Sequence, residues 1–159
     1  MSADVNVKSI QLLESYERSF HNYSSVSQQK INSYLALLGN SADKARQFKN
    51  RIHSIAERRK SYLSRAKLKL AAAMASDPPV FERIIVAKKS LDGCKKAYDK
   101  ARQSDEQCEQ LYKKLVVEIE QAKQQCLAIR TELSSATERG DSFLSGYISK
   151  LRDYSHNNG

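Results

Sequence analysis

Apolar side chains recur along this chain at alternating spacings of three and four residues, and no stretch alternates with the period of two that a strand needs. The longest stripe, read in sevens from Ile84, is Ile84, Ala87, Leu91, Cys94, Tyr98, Ala101, Asp105, Cys108, Tyr112, Leu115, Ile119, Ala122, Cys126, Ile129, Leu133 and Ala136. Only Asp105 is neither apolar nor packable. A 3–4 spacing held this long is the seam of a coiled coil, because the stripe must keep facing a partner helix. It predicts one helix over 78–138, roughly 90 Å long at 1.5 Å per residue. Ser104-Asp105-Glu106-Gln107 has the form of a capping box, yet the phase runs through it unchanged, so the helix is expected to continue.

Three further helices are predicted around this rod. The first spans 9–38, capped by Ser9, with a stripe of Leu13, Tyr16, Phe20 and Tyr23. Its phase shifts between Val26 and Lys30 before resuming at Ile31, Tyr34 or Leu35, and Leu38, which suggests a change of supercoil or of partner there. Gly39-Asn40-Ser41 reads as a helix stop followed by a cap. The second helix, 41–76, carries Ala45, Phe48, Ile52, Ile55, Arg59, Tyr62, Ala66, Lys69 and Ala73, with Ala56, Leu63 and Leu70 as a neighbouring column. Asp77 is expected to cap the long helix, with Pro78 and Pro79 in its first turn. Arg139-Gly140-Asp141 ends it, and a short last helix follows over 141–154, carrying Leu144, Tyr147, Ile148, Leu151 and Tyr154. Ser155–Gly159 reads as a disordered polar tail.

The fold class is therefore all-α. It is an elongated antiparallel helical bundle, a single domain in which a helical hairpin packs on one long helix and a short C-terminal helix folds back. The hairpin arms reach only about half the rod. That leaves Tyr112, Leu115, Ile119, Ile129 and Leu133 as an uncovered apolar seam and the expected partner-binding surface.

Composition agrees with long helices: 159 residues hold two prolines, five glycines and no tryptophan. The formal net charge of +9 is uneven. Residues 1–40 are balanced, whereas 41–76 carry ten bases against two acids. Within that segment Lys44, Arg51, Arg58 and Arg65 recur every seven residues as a basic ladder, broadened by Lys49, Arg59, Lys60 and Lys67. Such a ladder is a solvated helix face, a docking surface for an acidic protein, or a phosphate-binding surface for nucleic acid or anionic lipid. No zinc finger, ribonucleoprotein aromatic motif or helix-turn-helix spacing accompanies it.

Cys94, Cys108 and Cys126 all fall on the seam and read as small buried hydrophobes, with cross-links between two copies as the alternative. No metal is expected, since successive ligands would sit far apart along one rod. Glycine-rich phosphate loops and Gly-x-Ser-x-Gly are absent, and His21, His53 and His156 are scattered. His53 and Glu57 share a helix face four residues apart, a spacing for a surface hydrogen bond. Arg59, Lys69 and Asp105 interrupt the stripes and are expected to set register or to pair with one another. No catalytic residue and no cofactor is expected. The opening residues lack a basic segment followed by an apolar one, and no run is long enough to span a bilayer. The expected location is cytoplasmic, with leaderless export open.

The opening Val7-Lys8-Ser9-Ile10, with Leu12-Leu13 and then Phe20, resembles the start of a group of uncharacterised all-helical bacterial proteins in which a first hairpin precedes a basic helix and a long Ala/Lys/Gln-rich one. More loosely, the turn expected at Leu38-Gly39-Asn40 is similar to that of Trp-X-Gly and LXG-associated secretion helper proteins, although no tryptophan precedes Gly39 here. The resemblance implies an adaptor or chaperone that holds a secreted effector, or a component of a larger assembly, by helix–helix contacts. The expected partners are such a protein, a second copy of the chain, or both. A nucleic-acid- or anionic-membrane-binding scaffold using the basic helix is the alternative.

Overall fold

Pro78 and Pro79 are the only prolines, and they divide the chain. On either side of them nothing stops helix propagation outright, and two helices form: α1, Ser2–Ala75, and α2, Phe81–Asn157. The structure is a computed structural model. It describes residues 2–157, with side chains from Val7 onward. Among the described residues there is no strand, so the all-α expectation holds in its coarse form: two long helices packed against each other.

Two helices stand where four were expected. Gly39-Asn40-Ser41 lies inside α1 and Arg139-Gly140-Asp141 inside α2, neither glycine taking a positive φ. A glycine inside a helix costs only about 1 kcal/mol against alanine, which lateral packing readily overrides. α1 also starts before Ser9, since Ser2–Lys8 contains no glycine or proline. α2 starts after the two prolines rather than on them. Proline disfavours the helical conformation of the residue before it, and the chain bends through Ser76, Asp77 and Pro78 instead of continuing the helix. The first bond into α2 runs from the Ile84 amide to the Val80 carbonyl, 3.2 Å, so Val80 and not Asp77 occupies the cap position. At the other end α2 continues to Asn157, and positions 158 and 159 lie outside the described residues. As expected, α2 passes Asp105 without a break.

Packing divides the chain into two units: unit 1, residues 1–39 with 120–159, and unit 2, residues 40–119. In unit 1 the helices run antiparallel, because cross-helix pairs step up one helix and down the other. His21 meets Asp141 at 2.9 Å, Ser24 meets Thr137 at 2.9 Å, Gln28 donates to Ser134 at 3.2 Å, and Arg130 donates to Asn32 at 3.2 Å. Arg152 pairs with Glu14 further along. Ile148 is the buried apolar centre, and Ser24 is buried beside the hydroxyl of Thr137. The side of α1 that faces α2 here is Ile10, Leu13, Glu17, Phe20, Ser24, Gln28, Ile31, Leu35 and Leu38. Tyr16 and Tyr23, expected on that side, are exposed. The stripe steps by four twice in succession, from Phe20 to Ser24 and from Ser24 to Gln28, so its phase does shift here, and Ser24 and Gln28 carry it through by hydrogen bonding across the helices.

Unit 2 is likewise an antiparallel pair, closed by the 76–80 link. Ser76 Oγ donates to the Ala73 carbonyl at 3.0 Å, satisfying one end group of α1. Ala56, Ala66 and Ile119 are its buried apolar residues. The facing stripe of α2 follows the sevens read from Ile84. On α1 the facing columns are Ala45, Ile52, Ala66 and Ala73 together with Lys49, Ala56, Leu63 and Leu70; Phe48, Ile55, Arg59 and Tyr62 are exposed. Cys94 and Cys108 in this unit, and Cys126 in unit 1, are half-buried free thiols.

Candidate partner-docking surface

The residues expected to bind a partner lie mostly against the protein's own α1. Ile119 is only 7% exposed, Tyr112 is half-buried in unit 2, and Leu133 is half-buried in unit 1. Leu115 is 37% exposed and Ile129 54%. The seam was expected to be bare because α1 was read as two short arms. With α1 unbroken, both stretches of α2 have a partner helix. Within Tyr112–Leu133, Tyr112, Ile119 and Leu133 thus serve the packing of α2 on α1, while Leu115 and Ile129 stay exposed.

Apolar side chains are exposed in both units, and one group of them lies on a flank of unit 2. Phe48, Ile55 and Tyr62 are 59%, 44% and 42% exposed. The ladder Lys44, Arg51, Arg58 and Arg65 is exposed as well. Each apolar position lies three or four residues from a ladder position, so the two columns interleave on one face of α1. Beside them a groove of about 520 Å³ opens between the helices, with Ala66, Lys69 and Ala73 on α1 and Arg83, Val86, Ala87 and Ser90 on α2 among its walls. A recess of about 270 Å³ adjoins it through Ser90, lined by Arg59, Tyr62, Gly93, Cys94 and Ala97. The groove exists because α2 presents serine, glycine and alanine on this flank, which are too short to fill the space beside α1.

The opposite flank is sealed by charge. His53 Nδ1 lies 3.0 Å from Asp105 Oδ2, and Lys49 Nζ lies 3.4 Å from Glu109 and 4.7 Å from the centre of the Tyr112 ring. The hydrogen bond to Asp105, then the attraction of that carboxylate, raises the His53 pKa above 6.5. Asp105 thus pairs across the helices with His53, rather than with Arg59 or Lys69, and His53 turns to Asp105 rather than to Glu57. The shallow recess around the pair holds glutamates, Gln110 and Lys113 but no hydroxyl or thiol to serve as a nucleophile. Among the described residues no group of three or more His, Cys, Asp or Glu is placed to hold a metal ion, and no helix is long and apolar enough to cross a membrane.

Charge partitions with the packing. Unit 2 contains nineteen Lys and Arg against ten Asp and Glu, the whole of the +9, whereas unit 1 contains eight of each. The unit with the bare apolar flank is therefore also the cationic one. Comparison of the chain with protein-family models, with curated proteins and with solved structures found no match.

Proposed function

We propose that the protein is a non-enzymatic helical interaction module that docks another protein on the bare flank of unit 2. In the bacterial setting that the resemblance implies, this is an adaptor or chaperone for a secreted effector, or a part of a larger assembly. The supporting observation is the exposure of Phe48, Ile55 and Tyr62 between four basic residues. Burying the half of each side chain that is still exposed is worth about half of the 1.5–3 kcal/mol of full burial, a gain that solvent leaves unrealised.

The test is mass spectrometry of what co-purifies with the tagged protein from its host, with and without nuclease. One stoichiometric protein retained after nuclease treatment supports the module. Nucleic acid with a scatter of its binding proteins, all lost on digestion, refutes it. That outcome favours the second reading, a scaffold for polyanions, whose support is the confinement of the net charge to unit 2.

A further inference from the structure

We infer that the groove on the bare flank of unit 2 receives one acidic amphipathic helix of a partner protein, lying along both helices and completing a three-helix bundle. The inference rests on the protein-docking reading and names the chemistry of its partner. Two observations carry it.

First, the groove has the form a helix requires. Ala66, Ala73 and Ala87 line it, and Ser90, Gly93 and Ala97 keep the α2 side low. Short side chains let a third helix approach to the usual interaxial distance of about 8–10 Å. Ile55, Tyr62 and Val86, all exposed, stand where the apolar stripe of such a helix would lie.

Second, basic residues stand on both helices: Arg59 and Lys69 on α1 and Arg83 on α2, with Arg58 and Arg65 of the ladder outside them. Glu82 is the one acid in the groove walls. A helix with acidic residues on both sides of its apolar stripe meets a cation on each side. A second copy of unit 2 would bring another nine positive charges against these, so self-association on this face is opposed. A bare phosphodiester chain would gain from the basic residues but nothing from the alanines.

The test uses the full chain and a labelled designed peptide of about three heptads, with leucine on a 3–4 stripe and glutamate on both flanks. Controls are a shuffled peptide of identical composition and a version with lysine for glutamate. The acidic amphipathic peptide should bind at least about tenfold more tightly than either. Ser90→Gln with Gly93→Gln fills the groove without changing charge, and no atom lies within 4 Å of a Cβ placed at Gly93, so folding is unaffected there. This pair should remove binding. Arg59→Glu with Lys69→Glu should transfer preference to the lysine peptide. The inference is overturned if the shuffled peptide binds as well, or if binding survives the groove-filling pair. It is equally overturned if single-stranded DNA or phosphatidylserine vesicles bind more tightly and ignore that pair. A co-purifying protein whose complex survives Ser90→Gln and Gly93→Gln would leave the docking reading intact and remove only this inference.

Discussion

Two glycines inside helices offer a sharp check on the packing. Gly39 in α1 has no atom within 4 Å of the Cβ that alanine would add. Gly39→Ala should therefore gain the helix propensity difference, about 0.8–1 kcal/mol. Gly140 in α2 would gain the same, but its Cβ would lie 2.6 Å from Phe20 Cζ and 2.8 Å from Cε1. The ring must withdraw, and for a half-buried phenylalanine that forfeits about half of the 1.5–3 kcal/mol of full burial. Gly140→Ala should thus be neutral or destabilising by about 0.5 kcal/mol, and in a Phe20→Ala background the propensity gain should return. The coupling between the two substitutions should be about 1 kcal/mol, measured by urea unfolding of the four proteins of the cycle. The reasoning is refuted if Gly140→Ala stabilises as much as Gly39→Ala, or if the cycle is additive within about 0.3–0.5 kcal/mol. A destabilising Gly39→Ala would instead restore the turn expected there from sequence.

The His53–Asp105 pair makes stability depend on pH. Its histidine pKa is raised on folding, so the contribution is complete below the unfolded value near 6.5 and fades as pH rises through the higher folded one. The melting temperature should be higher at pH 6 than at pH 8, and Asp105→Asn should flatten that difference. Ile119→Ala and Ile148→Ala, both at buried positions, should each cost about 2 kcal/mol or more in chemical unfolding. Ile129→Ala, at an exposed margin, should stay within about 0.5 kcal/mol. Converting Arg51, Arg58 and Arg65 to glutamate should leave the helical circular dichroism unchanged while abolishing any salt-dependent DNA binding in a filter assay.

Sequence alone supports helical class, the stripe of α2 from Ile84 to Cys126 and the position of the basic ladder. It misleads where a polar residue does an apolar residue's task. Tyr16 and Tyr23 satisfy a hydrophobic spacing one column away from the true facing stripe, while Ser24 and Gln28 look like surface until Thr137 and Ser134 are brought opposite them. The same error recurs at Phe48, Ile55 and Tyr62, whose size draws them into the expected core although the smaller Ala56, Leu63 and Leu70 face α2. The two helix ends read at Gly39 and Gly140 fail for a related reason. Glycine signals a stop only when its neighbours have no packing to lose, and at Gly140 the missing side chain makes room for Phe20.

The link at 76–80 also sets an order of assembly. Partners in unit 2 such as His53 and Asp105 are 52 residues apart, whereas Ser24 and Thr137 in unit 1 are 113 apart. Bringing the more distant pair together first costs about 0.7 kcal/mol more in loop closure. The contacts of unit 2 are therefore expected to form before those of unit 1. Pulsed hydrogen exchange during refolding should show amides of Ala45–Ala56 protected before those of Leu13–Ser24. During synthesis α1 emerges with nothing to pair with, and no native contact between the helices can form until the ribosome has passed the two prolines.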